Sequence, residues 1–102
     1  MELVKVKRLT IVAEAFLETQ LVAALKSRGV RGFSITECRG EGSRGVRASE
    51  WEGHNVKIET LVDPTTAETL MAFIAERFLE SYAVIAYCQD AEVVRGGKFA
   101  AL

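Results

Sequence analysis

Several residue types that carry chemistry in small proteins are scarce in this sequence. Its 102 residues include one proline, one histidine and two cysteines, Cys38 and Cys88. The spacing of the cysteines matches no zinc motif, so we expect no metal to be required. No secretion signal precedes them, which indicates reduced thiols in a cytoplasmic protein and no disulfide. We therefore interpret both side chains as small buried hydrophobic groups.

An excess of charge and a long apolar run are also lacking. The 13 Lys and Arg residues face 14 Asp and Glu residues, so the net charge is -1. That balance provides no global field that would attract nucleic acid. No apolar run approaches the roughly 20 residues that span a bilayer. Hydrophobic residues make up 49% of the chain, which is enough for the core of one domain over residues 1–102.

The residues that are present predict alternating strands and helices. Leu17, Leu21 and Leu25 recur at helical spacing, and Gly29 provides a stop after two cations. The predicted elements are, in chain order, a strand over 7–13, a helix over about 16–28, a strand from Gly32, a strand over 55–62, a helix after Pro64 and a strand over 82–88. The run over 82–88 is almost continuously apolar, which is typical of a central strand. We expect a short further strand over 90–95 and a flexible tail over 96–102.

This order of elements predicts an α+β fold, the ferredoxin-like βαββαβ sandwich. Such a sandwich has four antiparallel strands with both helices on one face. Two signals compete for the start of the second helix: Asp63 before Pro64, and Thr65 with Glu68 as a capping box. Alternation leaves apolar side chains on the other face of the sheet, so we expect a dimer or trimer packed through the sheets.

A long segment over residues 39–53, here called the glycine–arginine loop, separates the second and third strands. It is longer than a hairpin needs, which is typical of functional loops. Its glycines allow backbone N–H groups to surround an anion, and its arginines are forked donors for phosphate or carboxylate. The groups concerned are Arg39, Gly40, Gly42, Ser43, Arg44, Gly45 and Arg47. The loop matches neither a Walker motif nor a dinucleotide fingerprint. The alternative interpretation is a solvated hairpin tip.

Residues 34–47, SITECRGEGSRGVR, resemble the second strand and T-loop entry of the PII signalling superfamily. Residues 42–47, GSRGVR, are most similar to the PII-like branch that includes SbtB and the carboxysome-associated protein CPII. The resemblance extends to the first, third and fourth strands over 7–14, 55–61 and 82–94. It implies a homotrimer with adenine nucleotides in the clefts between subunits, and a T-loop that the ligand orders or releases.

The resemblance also implies which residues bind the nucleotide. Phosphate contacts are implied for Ser43, Arg44 and Arg47, with Arg39 and the backbone of Gly40 and Gly42 nearby, and with Arg95 and Lys98 reaching in from the tail. One wall of the cleft would consist of Gly32, Phe33, Ser34 and Thr36, and the adenine side of Ala86, Tyr87 and Cys88. We interpret Trp51 as a docking anchor for a partner, because an exposed indole favours a protein surface.

Three departures from the family pattern narrow the expected function. The loop has no tyrosine for uridylylation, residues 80–83 do not match the glycine-rich B-loop, and the tail has no cysteine. These absences favour the CPII kind of protein, which senses AMP or ADP together with bicarbonate. We therefore expect a signalling protein and not an enzyme. Its partner would be a bicarbonate transporter or a carboxysome-associated protein, in the cytoplasm or at the carboxysome.

Two other functions stay open at this point. A CutA-like trimeric metal-tolerance protein would share the sandwich, but it would need metal ligands that one histidine and two separated cysteines hardly supply. A PII-like ATP or ADP hydrolase would need an acid near the phosphates, and Glu41 is the only one inside the motif. Glu14 has no second carboxylate beside it in the sequence, and His54 is more typical of a solvent-facing strand residue.

Overall fold

The computed structural model describes residues 1–40 and 54–94. The predicted order of elements is confirmed, with a short 3₁₀ helix, Ala15–Leu17, between the first strand and the first helix. The elements are β1 (Val4–Glu14), α1 (Glu18–Ser27), β2 (Ser34–Cys38), β3 (Asn55–Val62), α2 (Pro64–Arg77) and β4 (Val84–Val93). None of the helices in these two ranges is long and apolar enough to cross a membrane.

The four strands form one sheet in the order β2-β3-β1-β4, and every neighbouring pair is antiparallel. In the middle of the sheet, Ile11 of β1 lies opposite Ile58 of β3 and Ala86 of β4. Ile58 in turn lies opposite Ile35 of β2. This topology confirms the predicted ferredoxin-like sandwich.

The core lies between the two helices and one face of the sheet. Alternate strand residues such as Leu9, Ile11 and Ile58 are at most 1% exposed. They share one apolar cluster with Leu21 of α1 and Leu70 of α2. Because both helices contribute to the same cluster, both cover the same face, as the apolar stripes of the sequence predict.

The start of α2 decides between the two signals in the sequence. Asp63 is the N-cap: its carboxylate accepts hydrogen bonds from the Thr66 backbone N–H at 3.2 Å and from the Thr66 hydroxyl at 2.5 Å. Pro64 follows at the first helical position, where its missing N–H has no cost. The capping box of Thr65 with Glu68 is therefore not the signal that is used.

The prediction for the last strand is wrong in two respects. β4 pairs with β1 alone among the described strands, so it is an edge strand and not a central one. Residues 90–93 continue β4 and do not form a separate strand. The continuous apolar run arises because Val84, Ala86 and Cys88 pack against the core, whereas Ile85 and Tyr87 lie on the opposite face with 60% and 40% exposure.

Candidate functional site

A cavity of about 430 Å³ lies where the connection between α1 and β2 meets the end of β3 and the start of α2. Its walls are residues 28–34 of that connection, residues 59–62 of β3, Arg8 of β1, and Asp63 and Thr66 at the start of α2. The volume falls in the range of pockets that hold small-molecule ligands.

The connection that forms the main wall is held by specific backbone bonds. Gly29 adopts a φ of 89°, which lets the chain leave α1 while the Val30 N–H donates to the Leu25 carbonyl at 3.1 Å. A side chain at position 29 would strain this left-handed backbone, so glycine suits the turn. Further along, the Thr60 hydroxyl of β3 donates to the Gly32 carbonyl at 2.6 Å. The wall is thus tied to the sheet before β2 begins.

The charges around the cavity do not cancel. Its lining includes Arg8, Arg28 and Arg31 against the carboxylates of Glu59 and Asp63. Arg8 Nε lies 3.4 Å from a Glu59 carboxylate oxygen, and its Nη2 donates to Gln89 Oε1. The Asp63 carboxylate caps α2.

Arg28 and Arg31 therefore have no carboxylate partner within residues 1–40 and 54–94. Two arginines without a carboxylate partner in the lining of a cavity of this size favour an anionic ligand.

The family of the chain follows from a match over most of its length and not from this cavity alone. A family model described as Nitrogen regulatory protein P-II matches residues 6–98. The chain belongs to the PII family. The resemblance inferred from residues 34–47 is thereby confirmed, and the sheet order and helix placement agree with the PII fold.

Solved structures agree with this assignment. A chain described as a PII-like signalling protein of Thermus thermophilus has a TM-score of 0.84 and 46% sequence identity, covering 98% of this chain and 100% of that one. CPII of Thiomonas intermedia bound to ADP and bicarbonate has a TM-score of 0.83 and 26% identity, covering 96% and 97%. CPII bound to ADP, AMP and acetate, at 22% identity and a TM-score of 0.82, covers 97% and 98% and shows the same fold.

Three of the residues predicted for the nucleotide cleft of this PII protein come together at the cavity. Gly32, Phe33 and Ser34 all line it, and Phe33 also packs against the core. Thr36 continues along β2 outside the lining, and Arg39 and Gly40 lie beyond the end of that strand, both exposed. A Cβ on Gly40 would meet its nearest described neighbour at 3.8 Å, an ordinary contact.

The predicted adenine side lies on another part of the protomer. Ala86 and Cys88 pack against the core, and Tyr87 points to the opposite face of the sheet. β1 and β3 separate β4 from β2, so these side chains and the cavity do not meet within one chain. Burial raises the pKa of the Cys88 thiol, which keeps it protonated at neutral pH. The assignment of residues 86–88 to adenine stays a prediction.

The remaining predicted residues lie outside the described part of the chain. They are Gly42, Ser43, Arg44 and Arg47 of the glycine–arginine loop, Trp51, and Arg95 and Lys98 near the end of the sequence. Their roles in phosphate binding and docking stay predictions.

Two residues considered as catalytic or ligand groups have other surroundings. Glu14 is 9% exposed, and its carboxylate accepts a hydrogen bond from the Ala83 backbone N–H at 3.4 Å. This bond joins the end of β1 to the start of β4, which is a structural role. His54 is exposed just before β3. Within the described ranges, no three His, Cys, Asp or Glu residues come together as a possible metal site.

The arginines of the cavity were not predicted as site residues. Arg28 was interpreted only as a cation near the end of α1, and Arg8 and Arg31 were not singled out. One signal was available: residues 28–32 read RGVRG, so two arginines alternate with glycines between a helix stop and a strand. Arg8 and Glu59 carry no such signal, because only the pairing of β1 with β3 brings them together.

Proposed function

We propose that this PII-family chain is a sensor that binds AMP or ADP in the cavity, with bicarbonate beside the nucleotide phosphates. The observation that carries the proposal is that two arginines, Arg28 and Arg31, line a cavity together with Gly32, Phe33 and Ser34. Their charge matches a phosphate. The half-buried Phe33 and Leu61 add an apolar surface for a base.

The CPII structures support the choice of ligand. CPII of Thiomonas intermedia is described with ADP and bicarbonate, and also with ADP, AMP and acetate. Bicarbonate and acetate are both small oxyanions that need cationic donors. The T-loop of this chain supplies Arg39, Arg44 and Arg47, so the proposed bicarbonate site combines the loop with the nucleotide phosphates.

A homotrimer is part of the proposal. The face of the sheet opposite the helices exposes Ile85 and Tyr87, and β4 has a free edge within the described sheet. Packing through these faces would remove apolar surface from water. It would also allow residues 86–88 and Arg95 of one subunit to approach the cavity of the next.

The proposed output is a change of T-loop conformation and not a chemical reaction. Nucleotide and bicarbonate would order or release the loop, and Trp51 would present or withhold a docking surface for a partner. That partner would act in inorganic-carbon uptake or fixation, as a bicarbonate transporter or a carboxysome-associated protein. We propose a cytoplasmic location, with carboxysome association as its more specific form.

Isothermal titration calorimetry tests the ligand. We expect AMP and ADP to bind the wild-type protein, and Arg47→Ala to weaken ADP about tenfold, since a hydrogen bond to a charged group contributes roughly 1.5–3 kcal/mol. Lys26→Ala is the matched control: it removes an exposed cation from the last turn of α1, outside the cavity. Absence of nucleotide binding to the wild-type protein, or unchanged binding by Arg47→Ala, would contradict the proposal.

A further inference from the structure

One polar side chain interrupts the apolar row of β3 that faces the helices. Four residues at alternate positions of this strand are at most 5% exposed: Val56, Ile58, Thr60 and Val62. Thr60 lies opposite Leu9 of β1, which is fully buried. A hydroxyl among apolar groups loses its hydration and needs a hydrogen bond inside the protein. Valine has nearly the same shape and would suit this row, so the packing of the core does not explain why the residue is a threonine.

The partner of this hydroxyl is a backbone group in the wall of the cavity. Thr60 Oγ1 donates to the Gly32 carbonyl at 2.6 Å, and both residues line the cavity. The bond joins β3, in the middle of the sheet, to the connection that precedes β2. The polar residue in the core row thus has its counterpart at the candidate site.

The segment over residues 31–33 has few other attachments. The last backbone bond of the preceding turn is donated by the Val30 N–H, and the ladder of β2 begins at Ser34. Among the residues that the structure describes, no hydrogen bond between backbone groups is found for residues 31–33. Within that part of the chain, the Thr60 hydroxyl therefore makes the one hydrogen bond that holds this segment.

This bond fixes more than one atom of the wall. The Gly32 carbonyl and the Phe33 N–H belong to the same planar peptide group, so a partner on the carbonyl sets the orientation of both. Glycine would otherwise leave this point of the chain free to rotate. Phe33 comes next: it is half-buried, packs against the core and lines the cavity. The hydroxyl of Thr60 thereby restricts the backbone that carries this ring.

We propose that Thr60 is a positioning residue: by holding the Gly32 carbonyl it keeps Phe33 in the cavity wall and raises the affinity for the nucleoside part of the ligand. This inference rests on the proposed function for the identity of the ligand. It goes beyond that proposal by assigning a role in binding to a buried residue of β3. A wall that is fixed before the ligand arrives need not be ordered on binding, which saves conformational entropy.

Removal of the hydroxyl is the first test. Thr60→Val keeps the shape of the side chain and loses the donor. We expect it to weaken ADP and adenosine by the same factor, about fivefold, and to leave inorganic pyrophosphate within about twofold in calorimetry. The unfolding temperature should stay at or above the wild-type value, because valine suits the apolar row and water can reach the carbonyl of the exposed Gly32.

Two further variants are matched to this one. Thr60→Ser keeps the hydroxyl but loses a buried methyl group, so we expect wild-type affinity for ADP and an unfolding temperature lowered by about 4 °C. Thr10→Val makes the same chemical change at another buried threonine, which is 1% exposed and does not line the cavity. It should bind ADP and adenosine as the wild-type protein does.

A measurement without ligand tests the wall directly. NMR relaxation of the backbone amides gives order parameters, which are about 0.85 in rigid segments and below about 0.6 in flexible ones. We expect residues 31–33 to be rigid in the wild-type protein and in Thr60→Ser, and flexible in Thr60→Val. The order parameters of α1 and β3 should be the same in all three proteins.

The outcomes separate this inference from the proposed function. If the wild-type protein binds ADP and Thr60→Val binds it equally well, the inference fails and the proposed function stands. If Thr60→Ser weakens ADP as much as Thr60→Val does, the hydroxyl has no role in positioning and the inference is wrong. The inference is also wrong if Thr60→Val weakens ADP but not adenosine.

Two outcomes concern the ligand itself. If residues 31–33 become flexible in Thr60→Val but no nucleotide binds the wild-type protein, the proposed function fails, and the role of Thr60 in holding the wall stands. If no nucleotide binds and residues 31–33 are equally rigid in Thr60→Val, both the proposed function and this inference fail.

Discussion

The two faces of the sheet differ in what completes them. On the helix-covered face, Leu9, Ile11 and Ile58 are almost fully buried by α1 and α2 of the same chain. The opposite face carries the charged pair Arg8 and Glu59, and on it Ile85 and Tyr87 keep 60% and 40% of their surface exposed. The helices of the same protomer bury the apolar side chains of the first face. The second face keeps apolar surface exposed to solvent. The first determines the fold, and the second offers surface for assembly.

A carboxylate introduced on the face opposite the helices should have the largest effect, which is on subunit assembly. If subunits pack through this face, Ile85→Asp buries an unpaired charge at the interface, which costs several kcal/mol per ion. We expect a folded monomer by circular dichroism and the loss of the wild-type trimer by light scattering on a sizing column. Thr19→Asp places the same carboxylate on the exposed surface of α1 and should leave the trimer intact. If the wild-type protein is a monomer, or if Ile85→Asp still forms a trimer, subunits do not assemble through this face and the contrast between the two faces is wrong.

A cavity on the helix-covered face should have the next largest effect. Ile58 is 1% exposed, and Ile58→Ala should lower the free energy of unfolding by about 3 kcal/mol in urea titrations. Ile35 lies directly opposite on the edge strand with 38% exposure, and it supplies a control of the same residue type. Ile35→Ala should cost about 1 kcal/mol, since exposed methylene groups contribute less. If the two variants lose the same free energy of unfolding, burial by the helices does not determine how much a side chain on this face stabilises the protein.

The smallest effect is expected where the helix layer begins beside the cavity. Asp63→Ala should destabilise the protein by about 1 kcal/mol through loss of the N-cap. The hydrogen bonds from Thr66 lower the pKa of Asp63. The stabilisation is therefore present above the ordinary carboxyl range and is lost as the pH falls through the lowered pKa.

The matched control for this titration is Asp63→Asn, which keeps an N-cap but does not titrate. Asp63→Asn should retain most of the wild-type stability at pH 7. In thermal unfolding at acidic pH, it should not show the loss of stability that protonation of Asp63 causes in the wild-type protein. An acid profile of Asp63→Asn identical to that of the wild-type protein would assign the pH dependence to other groups.

Local patterns in the sequence were sufficient for most of the fold. The leucines at helical spacing predicted α1, Gly29 predicted its end, and Asp63 before Pro64 was one of two predicted starts for α2. Each of these signals acts between residues a few positions apart, through a turn or a cap. The site was predicted less completely: Gly32, Phe33 and Ser34 were named and do line the cavity, but its arginines were not.

The sequence by itself determined the order of the elements and the apolar side of each, because helical and strand periodicities are local properties of the chain. The tertiary structure decided that β4 lies at an edge, since strand order depends on pairings between distant segments. It also decided that Arg8 is neutralised by Glu59 while Arg28 is held on Phe73. These neighbours of the two arginines come together only in the folded chain, and no local pattern of the sequence contains them.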